Sequence, residues 1–92
     1  MENYMMDMFL LYNSLMEKNI ADKIITRILD RMERLRNMPK SCSKIQGEYK
    51  EEYRKLVIKN YLAIYRVNEK SKEVYIVDIV YGGRNYFNSI YE

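Results

Sequence analysis

Ninety-two residues, 48% of them apolar and 32% charged, make one domain, 1–92, with room for a single core. With no histidine and one cysteine, Cys42, the usual zinc ligand sets and the Cys/His and Ser/His/Asp catalytic groups are excluded, and no cofactor or metal is expected. The net charge of +3 is uneven, with an excess of +5 between residues 31 and 59, which favours an acidic partner, either nucleic acid or polypeptide; a solvated lysine-rich loop would give the same pattern.

At the N-terminus the longest strictly apolar run is MFLL, without a basic flank, so neither a signal peptide nor a membrane span is expected. A lone thiol fits a reducing, cytoplasmic setting. A first helix is predicted from Tyr4 to Glu17, with Tyr4, Met8, Leu11 and Leu15 on one stripe. The many methionines here read as core packing at helical spacing. Lys18 and Asn19 are short enough to turn the chain into an antiparallel helix hairpin. A second helix is expected from Asn19 as N-cap, with Ala21, Ile24, Ile25, Ile28, Met32 and Leu35 on one face and Asp22 near the exposed amides. Pro39 ends it, because proline disfavours helical geometry in the residue before it.

Pro39 and Gly47 bracket the polar segment KSCSKIQ, and after Gly47 the period changes. YRKLVIK, YLAIYRV and EVYIVDIVY are rich in β-branched and aromatic residues, with NEKSKE, Asn68 to Glu73, as a hairpin loop between the last two. The fold class expected is α+β: an N-terminal helix hairpin on a three- to four-stranded antiparallel sheet. Strict alternation places Tyr61, Ala63, Tyr65 and Val67 on one face of their strand and Leu62, Ile64 and Arg66 on the other. In the last strand it groups Tyr75, Val77, Ile79 and Tyr81 opposite Val74, Ile76, Asp78 and Val80. Both faces are largely apolar, so one small helical layer leaves a face short of cover and a partner is expected there.

The succession LRNMP, then EYRKLVIKNYLAIYRVNEKSKEVYIVDIVYGGRNYFNSI, resembles the RelE/ParE superfamily of toxins from bacterial type II toxin-antitoxin systems over nearly the whole chain. The resemblance implies a cognate acidic antitoxin and one of two targets: messenger RNA cut in the ribosomal A site, or DNA gyrase bound without cleavage. It also gives a role to Gly82 and Gly83, which by themselves read as a turn ending the strand. They would present Arg84 at the sheet rim, where ribosome-dependent members carry a phosphate-binding arginine.

Two departures bear on activity. In the ribosome-dependent nucleases the tyrosine opening the second strand is followed by an arginine, whereas Tyr61 is followed by Leu62. Arg66 shares that strand face but lies about 13 Å further along. The usual first strand of the family is missing as well, so that one sheet position is expected to be empty, filled by a partner, or absent because the start is truncated. Cleavage by the RNA's own 2′-hydroxyl needs a proton acceptor, a proton donor and cations. The site candidates are Arg84, Arg66, Arg54 and Lys55, as phosphate or acidic-partner contacts, and Tyr86; Lys59, Tyr81 and Tyr91 belong to the same inventory. None of these side chain types titrates near neutrality in its ordinary state. The expectation is therefore a toxin that binds a gyrase-type target, with a ribosome-dependent endoribonuclease, or an inactive homologue that only binds antitoxin, as the alternatives.

Overall fold

The computed structural model describes residues 3–47 and 51–82. In chain order it forms α1 (Met8–Glu17), α2 (Asp22–Glu33), a 3-10 turn (Arg34–Arg36) and strands β1 (Tyr53–Ile58), β2 (Tyr61–Asn68) and β3 (Glu73–Tyr81). The strands make an antiparallel sheet in the order β1-β2-β3, with the helix hairpin on one face, as the α+β expectation required. No helix among the described residues is long and apolar enough to cross a membrane.

The first helix starts later than its spacing suggested. Asp7 caps it by accepting the amide of Leu10 at 2.9 Å, so the helix begins at Met8 and not at Tyr4. Tyr4 is buried all the same, at 4% exposure, from the lead-in segment. Its amide donates to Arg36 O at 2.7 Å and its hydroxyl to Glu69 at 3.0 Å. Beside it, Met5 makes a single parallel bridge with Glu73: the Met5 amide reaches Lys72 O and the Val74 amide reaches Met5 O, both at 2.8 Å. Among the described residues no strand precedes α1, and the Met5–Glu73 bridge is the pairing found there.

The link between the helices also differs from the sequence reading. Asn19 takes a left-handed backbone, φ 58°, a conformation asparagine tolerates, and the helical cap position falls to Ala21 with an extended backbone. The periodic face of α2 survives the shift: Ile25, Ile28, Met32 and, just beyond it, Leu35 are buried. They pack with Leu11 and Leu15 of α1 against Leu56, Ile58, Ala63, Tyr65, Val74 and Ile79 of the sheet. Each fully buried aliphatic side chain here contributes about 1.5–3 kcal/mol of transfer free energy.

The hairpins explain the register. A two-residue turn, Lys59 and Asn60, joins β1 to β2, with Ile58 opposite Tyr61. Lys59 supplies φ 56° where glycine or asparagine is more usual. Between β2 and β3, the Asn68 side chain accepts the amides of Lys70 and Ser71 at 3.0 and 3.1 Å, fixing the predicted loop.

One irregularity corrects the face assignment of β3. Ile64 pairs with Asp78 and Tyr65 with Ile76, so Val77 is an extra residue in β3. Alternation resets there: Val74, Ile76 and Ile79 pack towards the helices, while Val77 and Val80 join Leu62 and Ile64 on the opposite face. The predicted grouping of Val77 with Ile79, and of Ile76 with Val80, fails because an extra residue reverses the order of faces. β2 has no such insertion, and Tyr61, Ala63, Tyr65 and Val67 do share the face that meets the helices.

Candidate functional site

The five candidate residues do not gather as one group. Arg84 and Tyr86, with Tyr91, lie outside the described residues. Of the other three, Arg54 stands on one side of the sheet and Lys55 and Arg66 on the other. Alternation along β1 decides this, since Arg54, Leu56 and Ile58 point the same way and the last two belong to the helix-side core.

Arg54 is an internal residue, 8% exposed. Its Nη1 donates to Lys40 O at 3.2 Å and Cys42 O at 2.6 Å, and its Nη2 to Glu52 Oε2 at 2.7 Å. Burial works to raise the Glu52 carboxyl, but the bonds from Lys44 and Arg54 outweigh it and hold the group below its ordinary value. Tyr65, wholly buried, donates to Pro39 O at 2.8 Å on the same segment. Burial, reinforced by the neighbouring Cys42 thiol, pushes the Tyr65 phenol well above its ordinary range, so it is a fixed donor and not a proton shuttle. Together Arg54 and Tyr65 tie the 39–44 segment to the sheet, and Arg54 cannot double as a phosphate clamp while its donors face carbonyl groups.

The face turned away from α1 and α2, free of helices among the described residues, is organised in cross-strand rows. Tyr53 of β1 is opposite Arg66 of β2, which is opposite Tyr75 of β3. The Arg66 guanidinium lies 4.4 Å from the Tyr75 ring centroid and pairs with Glu51 at 3.0 Å. Lys55, opposite Ile64, falls in the next row, about 7 Å away along the strand. Leu62, the residue standing in for the expected arginine, is 7% exposed and packs with Ile45 and Ile64. Ile45 gets there because its amide bonds Tyr53 O at 2.8 Å, and Lys55 N bonds Ser43 O at 3.0 Å, which folds this segment along the outer edge of β1.

The result is an apolar centre of Leu62, Ile64, Val77 and Val80, flanked by a Tyr53–Arg66–Tyr75 row and by Lys55. Leu62 and Ile64, at 7% and 0% exposure, are internal, so pairing with acidic groups and stacking on planar ones fall to the partly exposed Tyr53, Arg66, Tyr75 and Lys55. Tyr53 and Tyr75 were not among the sequence candidates. The signal for them was the short turn at Lys59 and Asn60, which sets the β1-β2 register and hence the row.

Comparison with known proteins follows the same lines. The family model for the "ParE toxin of type II toxin-antitoxin system, parDE" matches residues 11–86. The archaeal RelE-RelB complex from Pyrococcus horikoshii OT3 contains a chain of similar fold, with a TM-score of 0.64 at 18% identity, covering 90% of this chain and 97% of that one. No curated protein sequence matches the chain. With the family model covering most of the sequence and the fold agreeing with it, the chain belongs to the ParE toxins of type II toxin-antitoxin systems, within the RelE/ParE superfamily.

Proposed function

We propose that this toxin acts in the cytoplasm by binding its target without cleaving it, with DNA gyrase as the target, through the helix-free face, and that an acidic antitoxin neutralises it. The observation that carries the reading is Leu62: an aliphatic side chain, 7% exposed, sits in an apolar cluster where the resemblance places an arginine in the ribosome-dependent enzymes. Cleavage of RNA needs positioned cations and a proton acceptor, and Arg54 is committed to backbone carbonyls inside the molecule. Lys55, Arg66 and the two tyrosines beside Arg66 suit recognition of an acidic macromolecular surface. The solved relative of similar fold is itself a RelE-RelB complex, which supports a protein partner here.

Controlled expression without antitoxin, with plasmid topology and primer extension on messenger RNA read in parallel, tests this reading. The expected result is growth arrest with loss of supercoiling and uncut messages. The placement of Lys55 and Arg66 on one face favours a second reading, a ribosome-dependent endoribonuclease, and new A-site cuts with unchanged supercoiling would establish it in place of the first. Growth without arrest would reduce the chain to an antitoxin-binding module.

A further inference from the structure

The two helices of the hairpin differ on their outer sides. α2 turns Lys23, Arg27, Asp30 and Glu33 to solvent, as a surface helix does. α1 carries no charged residue from Met8 to Met16. Its Leu11 and Leu15 point into the core. On the side turned away from them, Phe9, Tyr12 and Met16 make a second apolar stripe at three- and four-residue spacing, flanked by Leu10. Phe9 is 76% exposed, Tyr12 43%, Met16 47% and Leu10 65%. A helix that is apolar all round is a helix with cover on every side, and among the described residues this stripe lies open.

Size and charge select the occupant. At about 200 Å² for a fully exposed side chain of this kind, the four leave roughly 450 Å² of apolar surface in water. Two such patches set face to face, with their polar fringe, bury about 1,000 Å² in all, the lower bound for a specific protein interface. An acidic partner of the kind that suits Lys55 and Arg66 finds no cation along the stripe. A basic one finds no carboxylate there either, since Asp7 and Glu17 stand at the two ends of the helix. A second copy of the same neutral stripe carries no such mismatch.

We infer that two copies of the chain pair through the outer stripe of α1, antiparallel about a two-fold axis. The order of residues supplies the fit. An axis passing between Tyr12 and Asn13 sets Phe9 of each copy against Met16 of the other, a favourable contact of ring with thioether, and sets Tyr12 against Asn13. The opposed dipoles of the two helices attract. The sheet face that carries Lys55 and Arg66 lies on the far side of each copy, so pairing leaves it clear, and the inference stands whichever target the toxin meets.

Sedimentation equilibrium on the full-length chain, made by cell-free synthesis, tests this. Between about 1 and 300 µM the mass is expected to rise from the 11.2 kDa of one chain towards twice that, with a Kd of the order of 10 µM. Phe9→Glu and Met16→Lys change exposed side chains, and circular dichroism confirms that each variant folds. Each alone should weaken pairing at least tenfold. Together they should restore it to within about threefold of the parent, because the antiparallel register sets each new charge against its opposite on the other copy. A Lys55→Ala, Arg66→Ala variant should pair like the parent. A chain that stays monomeric throughout, pairing untouched by the α1 changes, a double variant as weak as the single ones, or pairing lost in the Lys55→Ala, Arg66→Ala variant would overturn the inference. So would a stripe whose amide resonances respond to added antitoxin and not to the concentration of the chain itself.

Discussion

Replacing Arg54 by alanine separates a structural arginine from a target-binding one. In the folded chain its guanidinium serves the carbonyls of Lys40 and Cys42 and the carboxylate of Glu52, and 8% of the residue is exposed. Alanine leaves two carbonyls unpaired, each costing about 1–2 kcal/mol, and removes the packing of the side-chain stem. The ion pair adds little, because the Glu52 side chain is 45% exposed and solvent screens it. The expected loss is about 3 kcal/mol, a fall in Tm of roughly 12–24 °C for a domain of this size. Arg66→Ala, which breaks a pair with the half-exposed Glu51 and a stacking contact, should cost about 1 kcal/mol or less. Urea unfolding followed by circular dichroism measures both. An Arg54→Ala chain as stable as the parent, or an Arg66→Ala chain the less stable of the two, would refute the division of roles.

Tyr65→Phe keeps the ring and strands the Pro39 carbonyl, so a loss of about 1–2 kcal/mol is expected in the same unfolding assay. Lys59→Gly should stabilise the chain by about 0.5–1 kcal/mol, since glycine takes φ 56° without the steric cost that lysine bears; thermal unfolding checks it. Glu52, Glu69 and Glu73 all have carboxyls lowered in the folded chain from 4.5: for Glu52, Lys44 and Arg54 overcome the opposing effect of burial, for Glu69 the bonds from Lys40 and Tyr4 lead, and for Glu73 those from Ser71 and Tyr75. Their contribution to stability is present in full above pH 4.5 and is lost as pH falls through the lowered values, so acid unfolding should set in below pH 4.5 and be less steep in Glu69→Gln, as read from circular dichroism against pH.

The elements whose residues repeat with a clean period were legible from the sequence. The buried face of α2 follows its three-and-four spacing, and β2 alternates without interruption, so both were placed on the right residues. Failures arose where local chemistry or geometry broke a period. Tyr4 and Met8 are spaced like neighbours on a helix, yet the Asp7 cap starts the helix after the first of them. Val77 is an insertion in β3 that no residue type marks, because valine suits either face of a strand. Arg54 shows a signal that was present and overridden. Its alternation with Leu56 and Ile58 puts it on the buried face, but a charged side chain reads as exposed until its partners, the carbonyls of a distant loop, are known.

The account turns on the helix-free face being the surface that meets the target. Inhibition of supercoiling by purified DNA gyrase, titrated with the parent chain and with a Lys55→Ala, Arg66→Ala double variant of confirmed fold, tests that most directly. Inhibition by the parent and its loss, by about tenfold or more, in the double variant is the expected result. Gyrase that supercoils unhindered by the parent chain, or is inhibited equally by the double variant, would contradict it.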